Sequence, residues 1–155
     1  MRPDEQSIAN ALLIAQFVAI PGALLALAVS SKIPRWALII FGFSAAAASM
    51  ALLLGKPEYI LFIAAISAFN FIWNFVLPFL LSVISDMDIK GRTMAFAIAC
   101  QMIGLGFGPG IASKMLGNGT GYDDIKMLTV KLFLGSLVII LVPIYFQNKA
   151  LKAKQ

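Results

Sequence analysis

Apolar residues fall into five long runs, 8–30, 36–54, 60–85, 93–113 and 128–146, separated by short polar connections. Four of the runs contain no charged residue, and the fifth contains only Lys131. Lys131 sits within a turn of its run's boundary, where its stem can lie along apolar surface while the ammonium reaches the headgroups. A hydrocarbon core about 30 Å thick needs roughly 20 apolar residues per helix, and each run approaches or exceeds that length. Barrel strands alternate apolar and polar residues, whereas these runs are continuous. Backbone groups in lipid must satisfy one another, so the pattern predicts an all-α integral membrane protein with five transmembrane helices. The second run carries Ala45, Ala46, Ala47, Ala48 and Ser49, a small-residue face that lets a neighbouring helix come close, which predicts a packed bundle.

Composition agrees with the pattern. With 61% hydrophobic and 12% charged residues and a mean hydropathy of +0.93, a chain of 155 residues does not read as a soluble domain. Residues 1–155 are expected to form a single transmembrane domain, with the Gly-rich stretch 117–124 as a flexible outer loop. The net charge of +5 comes from short connections and forms no basic patch with interleaved aromatics, so no nucleic-acid partner is expected. One cysteine, Cys100, and no histidine leave no disulfide within the chain, and neither a metal site nor a cofactor is expected. Cys100 reads as a small packing residue.

Orientation follows from where the cations lie. One set of connections holds Lys32, Arg35, Lys90, Arg92, Lys149, Lys152 and Lys154, and the other holds Arg2, Lys56, Lys114 and Lys126. The richer set is expected to face the cytoplasm, placing the N-terminus outside and the C-terminus inside, in a cell (inner) membrane. Arg2 and the small residues around Ala26 and Ala28 imitate a signal peptide. However, Asp4 and Glu5 cancel the positive start and the run is longer than a leader's apolar region, so the first run is expected to remain a helix. The sequon Asn118-Gly119-Thr120 lies close to the membrane and reads as a chance occurrence.

The richest stretch is SDMDIKGRTMAFAIACQMIGLGFGPGIAS, residues 85–113. Asp86, Asp88 and Gly91 imitate the opening of a calcium loop, but Lys90 stands where an oxygen ligand is needed and no glutamate closes the loop. The glycines imitate a dinucleotide fingerprint, yet they fall late in an apolar helix rather than between a strand and a helix start. What remains is mechanical. Gly104 with Gly108, and Gly106 with Gly110, strip two helical faces of side chains, and Pro109 removes a backbone donor, so this helix is expected to pack closely and to act as a hinge. On that reading Gly108→Leu should cost several times more than Gly42→Leu. In the third run, Ser67, Asn70, Asn74 and Pro78 follow at helical spacing, with Trp73 alongside. Ser67, Asn70, Trp73 and Asn74 are the candidates for a substrate cavity. Hydrogen bonding across to another helix is the competing role for the two asparagines. Gln16 and Gln101 are weaker candidates of the same kind. No Asp, Glu or His lies deep in a run, so no proton relay is assigned within the chain.

A turn carrying Asp86, Asp88, Gly91 and Arg92, followed by a helix ending GLGFGPGIAS, resembles the loop and eleventh helix of major facilitator superfamily transporters. The connection SSKIPRW resembles that family's Asp-Arg-x-Gly-Arg loop between helices eight and nine, with Ser31 and Pro34 in place of its acid and glycine and Lys32 and Arg35 retained. The likeness covers the whole chain as the last five helices of a twelve-helix transporter, a partial C-terminal bundle, and its orientation agrees with the Lys and Arg distribution. It implies transport of a small solute by a fragment or separately encoded half, with substrate between two six-helix halves and the opposing wall supplied by an N-terminal half or other membrane helices. Asp86, Asp88 and Arg92 would then latch to neighbouring helix ends on the cytoplasmic side. The rival reading is a non-transporting membrane assembly or interaction subunit. A membrane-embedded enzyme ranks last, because no nucleophile and base stand together.

Overall fold

The computed structural model describes residues 5–88 and 91–152, with side chains described from Gln6 to Asp86, at Asp88, and from Gly91 to Val142. Arg2, Lys90 and Lys154 lie outside the described residues, as do the side chains of Lys149 and Lys152. The elements are α1 (Glu5–Val29), α2 (Arg35–Ala51), α3 (Tyr59–Met87), α4 (Arg92–Gly117) and α5 (Tyr122–Lys152). No strand occurs among the described residues. Four helices, α1, α3, α4 and α5, are long and apolar enough to cross a membrane, and α2 is shorter at 17 residues.

α3 is the hub of the bundle. It packs along α1 on one side and α2 on another; α2 also packs against α5, and α4 touches α3 and α5 lightly. The α1 contact is made by a stripe of small residues, Ala11, Ala15, Ala19, Gly22 and Ala26, all buried. An added Cβ at Gly22 would overlap the carbonyl oxygen of Phe71, so here backbone meets backbone. Lipid is as apolar as a leucine side chain, so helices in a bilayer gain little from hiding apolar surface and associate through close packing; small residues supply it. On α2 the same device appears at Gly42, where an added Cβ would lie 2.5 Å from Cγ2 of Val76, and Ala46, Ala47 and Ser49 are buried as the small-residue face predicts. Ser49 satisfies its hydroxyl within the helix by donating to Ala45 O at 2.8 Å.

Two polar ends frame the bundle. At one end Tyr59 Oη donates to Ser7 O at 2.8 Å, Gly55 N donates to Asp123 Oδ1 at 3.1 Å, and Lys126 Nζ donates to Gly55 O at 3.3 Å. At the other end Arg35, opening α2, pairs with Asp86 near the end of α3. Successive helices therefore run up and down, and the connections alternate between ends as the cation sorting requires.

Helix limits differ from the apolar runs in a consistent way. α4 continues to Gly117 and α5 starts at Tyr122, so the expected flexible loop 117–124 shrinks to a turn at 118–121. The turn is held by Gly119 at φ +84° and by Asp124 Oδ2 accepting from Gly121 N at 3.0 Å. Asp123 and Asp124 stand in the first turn of α5, where carboxylates suit the positive end of the helix dipole. Lys131 accordingly lies well inside α5 rather than within a turn of its start. Conversely α2 stops at Ala51, and residues 52–54 form a turn closed by Gly55 at φ +77°.

Candidate functional site

Of the α3 residues expected to line one cavity, Trp73 and Asn74 line different ones. Consecutive residues are about 100° apart around a helix at 3.6 residues per turn, so Trp73 and Asn74 face different elements. Asn74 and Gln16 both line a groove of about 590 Å³ along α1, which brings together two residues assigned separately from the sequence. Trp73 instead lines a second cavity, of about 720 Å³, between α3, α4 and α5. Asn70 Nδ2 donates to Ile66 O at 3.0 Å, and Asn74 Nδ2 donates to Asn70 O at 2.9 Å, so each amide folds back on the preceding turn of its own helix. Ser67 Oγ is buried with no hydrogen-bond partner among the described residues.

The α3–α4–α5 cavity is largely apolar and open-sided. Its aromatic wall comes from three helices: Phe43 of α2 meets Phe133 of α5 edge-on with centroids 6.0 Å apart, and Phe133 meets Trp73 of α3 at 6.3 Å and 82°. Phe69 lies nearly parallel to the Trp73 indole with centroids 6.4 Å apart, and meets Phe133 edge to face at 5.7 Å. α4 contributes Cys100, Gln101 and Gly104 to the lining, and α5 adds Thr129 and Ser136 beside Phe133. Thr129 Oγ1 is occupied by Ile125 O at 2.9 Å. Gln101 and Ser136 are half-buried and make no hydrogen bond among the described residues. Gln101 was singled out in the sequence; Thr129, Phe133 and Ser136 were not. Their spacing of four and three residues on α5 is the signal that could have marked them as one face.

The glycines of α4 do not perform the expected packing within this chain. No atom beyond the local helix lies within 4 Å of where a Cβ would sit at Gly104, Gly106, Gly108 or Gly110, and no described residue of α4 is buried. α4 also runs unbroken through Pro109. The close contacts are at Gly22 and Gly42 instead, which reverses the expected order of cost for Gly108→Leu and Gly42→Leu in the isolated chain.

The charged turn behaves as a joint. Arg35 Nη1 donates to Ser82 Oγ at 2.8 Å and to the Asp86 carboxylate, tying the start of α2 to the end of α3. Both side chains of the ion pair are nearly half exposed, so in water such a pair contributes about 1 kcal/mol at most. Asp88 Oδ2 accepts from Met94 N at 2.8 Å, satisfying one of the free donors in the first turn of α4. Gly91, at φ +72°, makes the left-handed step that this turn requires. Arg92 is exposed and has no ion-pair partner among the described residues. No cluster of three or more His, Cys, Asp or Glu side chains able to hold a metal occurs among the described residues.

No protein-family model, curated protein or solved structure matches the chain.

Proposed function

We infer that this membrane bundle acts in transport of a small solute, as a component of the major facilitator type, working with further helices that supply the opposing wall of the path. The observation that carries this reading is the α3–α4–α5 cavity. Its volume falls in the usual range of about 300–1,000 Å³ for small-molecule sites, and it has the character of such sites, an apolar and aromatic lining with a few polar groups. The joint between Arg35 and Asp86 adds support, since it links the connections that carry the resemblance to that family. On this reading the end bearing Arg35, Asp86 and Arg92 faces the cytoplasm of a cell membrane.

The test compares solute accumulation in cells of the source organism, where the partner helices are present, with the gene intact and with it deleted and restored in variant form. The expected result is a saturable difference for at least one solute of a chemically varied panel, removed by Trp73→Ala and by Gln101→Leu at unchanged protein level. Equal accumulation across the panel, or a difference indifferent to both substitutions, contradicts transport through this cavity.

A second reading, a non-transporting assembly subunit, draws on the bare glycine face of α4. A face without side chains suits another helix better than it suits lipid. Under it, Gly108→Leu lowers the yield of a larger membrane complex while accumulation stays the same.

A further inference from the structure

We propose that the α3–α4–α5 cavity binds an uncharged, ring-bearing small molecule that carries one hydrogen-bonding group. This inference rests on the reading of the cavity as a solute site and gives that solute a chemical class.

Charge is the first discriminator. Among the residues lining the cavity none is Asp, Glu, Lys or Arg. Ion pairs lie at the two ends of the bundle, between Arg35 and Asp86 and, at 2.9 Å, between Lys126 and Asp123. An ionised ligand placed among Phe43, Trp73 and Phe133 would lose its hydration without gaining a counter-charge, which is strongly unfavourable in a medium of low dielectric constant. A neutral ligand avoids that cost.

Shape is the second. Phe133 meets both Phe43 and Trp73 edge to face, and Phe69 lies nearly parallel to the indole, so one side of the cavity is built of aromatic rings, while Leu77, Leu80, Leu81, Ile84, Leu132 and Ile140 supply its aliphatic remainder. Aromatic rings favour offset or edge-to-face neighbours, and a ring-bearing ligand completes such an arrangement. Gly104 leaves the α4 side without a side chain, and nothing lies within 4 Å of the place its Cβ would take, so a planar group has room to enter.

Hydrogen bonding is the third. Gln101 on α4 and Ser136 on α5 both line the cavity and both lack partners among the described residues, whereas Asn70, Asn74, Thr129 and Ser49 each bond a carbonyl of their own helix. In hydrocarbon an unpaired amide or hydroxyl is costly, so these two groups favour a guest that offers both a donor and an acceptor. A hydroxyl or an amide meets that requirement; an acyl chain does not.

Trp73 is itself the reporter. The chain has two tryptophans, Trp36 at the start of α2 and Trp73 in the cavity, so Trp36→Phe leaves Trp73 as the sole indole and Trp73→Phe leaves Trp36. The purified full chain is placed in nanodiscs and titrated with three heavy-atom quenchers: 4-bromobenzyl alcohol, bromobenzene and 4-bromobenzoate. The expected result is saturable quenching of Trp73 by the alcohol, with quenching of Trp36 linear in concentration as simple partition into lipid requires. Bromobenzene should bind about fivefold more weakly than the alcohol, and 4-bromobenzoate should give no saturable phase. Gln101→Leu should weaken the alcohol about fivefold and leave bromobenzene within twofold. Equal, linear quenching of both tryptophans overturns the proposal, as does saturable binding of the benzoate. Strong quenching of Trp73 by phospholipids brominated on their acyl chains, undiminished by the alcohol, assigns the cavity to lipid and overturns it as well. Binding and accumulation are separate readouts: saturable quenching with no accumulation difference sinks the transport reading alone, and accumulation of a charged solute through an intact cavity sinks this one alone.

Discussion

At Gly22 an added Cβ would run into the carbonyl oxygen of Phe71, and at Gly42 it would lie 2.5 Å from Cγ2 of Val76. Neither obstacle sits at the end of a flexible chain, so Gly22→Leu and Gly42→Leu should each cost at least the 1–3 kcal/mol or so typical of overpacking. Gly108 faces open space, and Gly108→Leu should leave the isolated chain within about 1 kcal/mol of the parent, the helix propensity of leucine over glycine even helping slightly. Thermal unfolding in detergent checks the order; a Gly108→Leu loss as large as that of Gly42→Leu would show that α4 is packed in a way these contacts do not capture. The sequence marks all of these glycines equally, because a small residue announces that something can come close and not that anything does. The asparagines of α3 teach the same lesson. Their need for partners is legible, but the nearest acceptor for each is a carbonyl one turn back in its own helix, and no pattern of residue types distinguishes that from a bond across to a neighbour.

Among the elements, α2 is the one that fits a bilayer least easily. Seventeen residues at about 1.5 Å each give about 25 Å, against a hydrocarbon core of about 30 Å. The longer helices α1, α3, α4 and α5 can tilt to match a thin membrane, but α2 cannot lengthen to match a thick one. Mismatch costs fractions of a kcal/mol per ångström, so the unfolding temperature should be higher in dimyristoyl than in dierucoyl phosphatidylcholine nanodiscs, followed by circular dichroism. The reverse order would place α2 outside the hydrocarbon. Helix number and sequence order were readable from the apolar runs, since only continuous helices of this length satisfy the backbone in lipid. Helix ends were not, because the signals that extend α4 to Gly117 and start α5 at Tyr122 are a capping carboxylate and a left-handed glycine rather than a change in hydropathy. Which face of each helix is buried was equally hidden. A bilayer makes the outside of a helix as apolar as the inside, so periodicity no longer separates them; small size marks the buried face of α1 from Ala11 to Ala26, but nothing in hydropathy marks the large buried residues Ile39, Phe43, Phe75, Val76 and Phe79.

At the scale of the whole molecule, alternation of the connections between two ends is the feature on which orientation, cavity access and the resemblance all depend. The contact between Arg35 and Asp86 places the 30–34 connection beside the end of α3, and the bonds from Gly55 to Asp123 and from Lys126 to Gly55 place the 52–58 and 118–121 connections together at the other end. The cavity lies between these ends, flanked by a helix with no buried described residue, so whatever fills that flank in the membrane completes the site. Directionality of any solute path follows from which end faces which compartment. The most direct measurement is therefore labelling of single cysteines in intact cells with a membrane-impermeant maleimide, using Ser31→Cys and Asn118→Cys, each on a Cys100→Ala background. With the more cationic connections inside, the cysteine at position 118 should label from outside and the one at position 31 only after permeabilisation; labelling of both from the same side, or of position 31 alone, would contradict a bundle that crosses the bilayer in this way.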